Sequence, residues 1–137
     1  MKINKLYEYP KSMRSVINGG RHYDIDGAKL PSVTTILSAT QSPEKKASLE
    51  AWKAKMGAKA ADEVRDTAAL RGTAMHTYLE HYLDGTGHKD LTPLGRQAEV
   101  MANKIIESGL GDLEELWGLE TTLYYPDLYA GATDVVG

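Results

Sequence analysis

Apolar and polar positions first alternate in the segment RHYDIDGAKL (21–30), where Tyr23 and Ile25 lead into Asp26-Gly27. That pair favours the positive φ angles of a tight turn, so an N-terminal hairpin is predicted. The period then lengthens: Ser32 precedes VTTIL, with Val33, Ile36 and Leu37 on one face of a short helix. Ser42-Pro43-Glu44 is a second start signal, opening a helix through KKASLEAWKAKM that should bury Leu49, Trp52 and Met56 and turn Lys45, Lys46, Lys53 and Lys55 to its other face. From about Lys59 to Asp84 the Ala-rich sequence predicts two helices or one kinked near Leu70-Arg71-Gly72, with Met75, Leu79, Tyr82 and Leu83 as core face and Gly85 as C-cap. A loop over 85–91 leads to a helix from Thr92-Pro93 to about Ser108, with Leu94, Ala98, Met101, Ile105 and Ile106 inward and Gly109 and Gly111 at its end. Residues 116–125 and 128–136 then read as two strands joined by a Pro126-Asp127 turn.

No repeat and no long linker divides the 137 residues, which predicts one domain over 1–137. Its class is expected to be α+β or α/β, a hairpin and helices followed by strands. Cysteine is absent, which excludes a disulfide framework, thiolate metal sites and a Cys nucleophile. No apolar run is long enough to span a bilayer and the N-terminus has no signal-peptide character, so a cytoplasmic protein without a membrane partner is expected. The net charge of −3 is unevenly spread: residues 1–59 carry 11 Lys/Arg against 5 Asp/Glu, and residues 60–137 carry 5 against 14. A basic surface for a polyanion and an acidic region able to hold cations would produce this split, although solvated helix faces would too.

Gly72, His76 and Glu80 are spaced by four and form one line along a helix. A glycine within a helix costs about 1 kcal/mol relative to Ala, so close approach of a backbone or a phosphate at Gly72 is a reason to look for. His76 and Glu80 offer a nitrogen and an oxygen to a divalent cation, or form a surface pair of small energy. A zinc-protease motif is ruled out, because His76 and His81 are five apart and diverge around the helix. His22 and His88 receive no role. Glu120 is expected to face outward from its strand. For Asp134, the neighbours Ala132, Val135 and Val136 predict partial burial, and a buried carboxylate requires a cation or hydrogen bonds. Gly131 would let a ligand or a second strand come close.

The segments LPSVTTIL (30–37), LEAWK (49–53), RGTAMHTYLE (71–80) and YAGATD (129–134), in this order, resemble the RecB-like branch of the PD-(D/E)XK nucleases. The likeness is greatest to phage exonucleases and the mitochondrial genome maintenance exonuclease, and it extends over roughly residues 20–137 of this chain. It implies a restriction-endonuclease-like mixed sheet of which the chain holds only the first strands, incomplete at the C-terminus. It further implies that His76 and Asp134 are catalytic and bind Mg²⁺ or Mn²⁺, with Glu80 and Glu120 as supporting acids. Arg71 and Gly72 open the matched helix motif, and a phosphate contact by Arg71 is expected, with Lys45, Lys46, Lys53 and Lys55 as further DNA-binding residues. The function so implied is a metal-dependent DNA exonuclease of phage or bacterial origin, acting in recombination, repair or degradation on DNA ends or single strands. Self-association is left open.

Family members continue into a third strand bearing [E/D]-x-K, the second carboxylate and the lysine. No such motif follows Asp134 here, so a truncated frame with little cleavage of its own is expected. A DNA-binding or assembly module that kept the fold without the chemistry is the alternative, and a helical interaction protein without a nucleic-acid role is a third reading.

Overall fold

The computed structural model describes residues 1–137, from a two-residue strand β1 (Lys2–Ile3) onward. Two turns then build the first sheet: Asn18 and Gly19 have φ of 51° and 76°, Asp26 and Gly27 of 52° and 83°. Paired positive φ values are what a type I′ hairpin turn requires. They fold β2 (Met13–Ile17), β3 (Gly20–Ile25) and β4 (Ala28–Pro31) into an antiparallel meander. The predicted hairpin is therefore β3–β4, and the Asn18-Gly19 turn adds a strand that the sequence reading did not include.

Ser32 ends β4 and caps α1 (Val33–Ala39), its Oγ accepting from the Thr35 N–H at 3.0 Å. Ser42 does the same for α2 (Pro43–Met56) through the Lys45 N–H at 3.3 Å, with Pro43 in the first turn. Gly57 at φ 86° separates α2 from α3 (Ala58–Asp84), and Gly85 at φ 77° closes α3 as a left-handed C-cap. Thr92 caps α4 (Pro93–Gly109) by accepting from the Gly95 N–H at 3.0 Å. β5 (Glu115–Leu116) pairs in parallel with β1, and β6 (Gly118–Tyr125) pairs antiparallel with β7 (Tyr129–Val136) across the Pro126-Asp127 turn. The fold is α+β, with four helices and three small sheets.

The chain divides into two units. One comprises Met1–Ile3 and Ala47–Leu116. Its centre is the α3–α4 pair, where Tyr78, Ala98 and Ala102 are buried and Ala74, Met75 and Leu79 pack against them. Tyr78 fixes the connecting loop, its hydroxyl accepting from the Asp90 N–H at 2.8 Å and donating to the Asp90 carbonyl at 3.3 Å. His88, without an assigned role in the sequence, packs edge-on against Tyr78 at 4.7 Å and stacks on His81 at 5.0 Å. The other unit comprises Asn4–Lys46 and Trp117–Gly137. Its core is Tyr23, Ile25, Leu30 and Ala130, and a parallel bridge between Ser32 and Ala130 joins the meander to β7. Tyr9 also ties the N-terminal segment to this unit, donating to the Trp117 carbonyl at 3.3 Å.

Several packing expectations change. α3 is a single uninterrupted helix of 27 residues, because its Ala-rich sequence tolerates one glycine. Leu49, Trp52 and Met56 are exposed and α2 buries no residue. At about 100° per residue Lys45 falls in line with that apolar stripe, and Lys53 and Lys55 flank it on either side, so the lysines do not form a separate opposite face. Tyr82, Met101 and Ile105 are exposed, whereas Gly95, Ala98 and Ala102 are the buried residues of α4. Small side chains fill that position because they let two helix backbones approach closely. On α1, Val33 and Leu37 are exposed and no residue is buried.

Candidate metal centre

Glu120 and Asp134 face each other across β6 and β7. Leu119 pairs with Val135 and Thr121 with Thr133, so the register places Glu120 opposite Asp134 while leaving this one pair out of the ladder. The register is the same on both sides of the gap, so no extra residue is inserted. The interruption has a local cause: Glu120 has φ of 51°, a left-handed conformation rare for a residue with a Cβ and foreign to a strand. A carboxylate oxygen of Glu120 and one of Asp134 come within 4.8 Å of each other. Two like charges at this range favour occupation by a hard cation, for which carboxylates are the usual ligands.

Glu120 is exposed as expected from its strand position. Asp134 is exposed too, contrary to the partial burial read from its neighbours. Ala132 is exposed and Val135 and Val136 are only half-buried, so the apolar neighbours that predicted burial are not themselves core residues. Gly131 admits α1: a Cβ built there would lie 3.3 Å from Val33 Cγ2.

His76, Gly72 and Glu80 lie in one line on α3, as their spacing dictates, since the helix is unbroken between them. His76 is exposed, while Arg71, Gly72 and Glu80 are half-buried. A Cβ at Gly72 would meet no protein atom within 4 Å, so no backbone approaches it and that part of the expectation fails. Glu120 and Asp134 offer their two carboxylates within one unit, whereas His76 and Glu80 belong to the other. Lys45, Lys46, Lys53 and Lys55 are all exposed on α2.

One feature on the Asp134 side has no counterpart in the sequence reading. A cavity of about 620 Å³ in the same unit is lined by Arg14, Arg21, Tyr124, Tyr125, Tyr129 and Asp134, among others. The Asn18-Gly19 turn was the available signal, because it sets β2 against β3 and with it Arg14 opposite Tyr23. No helix is long and apolar enough to cross a membrane. Comparisons with protein-family models, curated proteins and solved structures find no match.

Proposed function

We propose that this chain carries the metal-binding part of a Mg²⁺- or Mn²⁺-dependent DNA exonuclease, with β6 and β7 as the first strands of a restriction-endonuclease-like sheet. The observation that carries the reading is the Glu120–Asp134 carboxylate pair, opposed in register and displaced from regular strand geometry at Glu120. Its chemistry fits the group: two opposed carboxylates offer the oxygen ligands that suit Mg²⁺ or Mn²⁺, and the resemblance adds His76 as a nitrogen ligand. When bound, such a cation supplies Lewis acidity toward a phosphodiester and lowers the pKa of water beside it.

The chain's own residues provide the rest. Asp134 and Glu120 bring negative charge that a cation neutralises. Arg71, half-buried next to Gly72, is the proposed phosphate contact of this helix. Lys45, Lys46, Lys53 and Lys55 give the backbone of DNA a cationic surface, and each one removed should lower the salt slope of binding by about one. DNA ends and single strands are the proposed substrates.

Manganese binding tests the site directly. Titration followed by the free Mn²⁺ electron paramagnetic resonance signal should show one ion bound, with affinity falling about tenfold or more in His76→Ala, Glu120→Gln and Asp134→Ala. Unchanged Mn²⁺ affinity in all three variants overturns the reading. Cleavage requires a further test, because neither β6 nor β7 contains a lysine. A polypeptide that includes an [E/D]-x-K strand after Asp134 should degrade labelled DNA with Mn²⁺, and Asp134→Ala should abolish this. The same lack of lysine favours a second reading, a DNA-binding module without hydrolysis, for which DNA would bind and remain intact.

A further inference from the structure

We infer that the cavity beside Asp134 is a subsite for the end of an unpaired DNA strand, its bases stacking on the tyrosines of the β6–β7 turn. The choice of DNA rests on the nuclease reading above; the subsite itself rests on separate observations. Arg14 and Arg21 line the cavity, and neither takes part in an ion pair. The β2–β3 register puts Arg14 directly opposite Tyr23, and Arg21 lies two residues before Tyr23 on the same strand. Both guanidiniums therefore belong to one face of the meander, with Tyr23 buried between them and the core.

The turn supplies the aromatic surface. Tyr125 and Tyr129 close the hairpin as a cross-strand pair, with ring centroids 5.8 Å apart and planes inclined by 26°. They are 56% and 40% exposed, and Tyr124 beside them is 43% exposed, so stacking surface is left open to solvent. Guanidiniums for phosphates and open aromatic faces for bases are the two components of single-strand recognition. In a duplex the base faces are already stacked on one another, so this surface selects an unpaired strand. The volume, about 620 Å³, lies within the range of pockets that enclose a small ligand and suits a strand terminus.

Asp134 also contributes to the lining, but it alternates with Tyr129 along β7, so its carboxylate lies on the other face of the strand pair and the subsite can be tested apart from the metal site.

Fluorescence anisotropy with an end-labelled ten-nucleotide oligothymidylate, at low salt and in EDTA, tests the subsite without cleavage. Tyr125→Ala and Tyr129→Ala should each weaken binding roughly fivefold or more, with Phe at either position restoring it. Arg14→Gln with Arg21→Gln should weaken it further and flatten its salt dependence. The blunt duplex of the same length should bind at least about ten times more weakly. Equal binding by the parent and the Tyr and Arg variants, or no binding by the parent, overturns the subsite. The Mn²⁺ titration separates the two failures: lost strand binding with intact Mn²⁺ affinity removes the subsite alone, while tyrosine-dependent binding in EDTA without any Mn²⁺ site removes the nuclease reading.

Discussion

Glu120 holds φ at 51° in the middle of a strand, where a Cβ is crowded by the following carbonyl. The conformation costs on the order of 1 kcal/mol and removes one rung from the β6–β7 ladder. Strain of this kind survives at sites where the displaced side chain has a task. Glycine would relieve it and alanine would not, although both remove the carboxylate. Glu120→Gly is therefore expected to be about 1 kcal/mol more stable than Glu120→Ala in denaturant titration, with Mn²⁺ affinity equally reduced in the two. Gly72 offers the converse case. Its Cβ position is open, so Gly72→Ala should raise the stability of α3 by about 1 kcal/mol in thermal melts. If a DNA backbone passes over that turn, the same substitution lowers DNA affinity several-fold, and unchanged affinity removes Gly72 from the interface.

Among the elements, the α3–α4 connection is the most tightly determined. Asp90 Oδ1 accepts from the Thr92 hydroxyl at 2.7 Å and its N–H at 3.0 Å, and Thr92 in turn caps α4. A Cβ at Gly95 would come within 2.2 Å of Asp90 Cγ and 2.5 Å of its Cβ, too close for rotation of the side chain to resolve. Gly95→Ala is expected to destabilise the protein by about 1–3 kcal/mol, read as a shift in the denaturation midpoint. The hydrogen bonds from Thr92, first its hydroxyl and then its N–H, hold the Asp90 carboxyl below its usual 3.8. The folded state thus prefers the charged form, and this contribution is complete above the ordinary carboxylate pKa and fades as pH falls through the lowered one. Carbon-detected NMR titration should place the Asp90 midpoint below 3.8, and Thr92→Val should move it upward.

Which of these elements the sequence discloses follows from where their causes lie. Local signals were legible: Asp26-Gly27, Ser32, Ser42-Pro43, Gly85 and Thr92-Pro93 act within a few residues of themselves, and each marks the turn or helix end it predicts. Burial was not, because it depends on a partner. Leu49, Trp52 and Met56 keep helical spacing yet remain exposed, and the α4 core runs through Gly95, Ala98 and Ala102, where close approach excludes larger residues. The candidate site divides in the same way. Asp134 and Glu120 stood out as acids in strands, whereas their opposition depends on the register set by the Pro126-Asp127 turn, and the φ of Glu120 leaves no trace in composition.

At the scale of the molecule, chain order and spatial grouping differ. One unit is largely a contiguous stretch, Ala47–Leu116, built on the neighbouring helices α3 and α4. The other joins Asn4–Lys46 to Trp117–Gly137, through the Ser32–Ala130 bridge, the Tyr9 hydrogen bond to Trp117 and a 2.7 Å hydrogen bond between Ser12 and Thr122. Contacts between near residues form in microseconds to milliseconds, and those that close loops of about a hundred residues come later. This separates the protein in time during synthesis. The helical pair can consolidate while β6 and β7 are still in the ribosomal tunnel, whereas the N-terminal meander waits with Tyr23, Ile25 and Leu30 lacking Ala130. Pulsed proteolysis of stalled nascent chains should find α3–α4 protected once residue 116 has emerged, and the meander protected only after residue 130 follows. The acids opposed on β6 and β7 thus acquire their scaffold after the helical pair, so their carboxylates meet only once the meander has its partner strand.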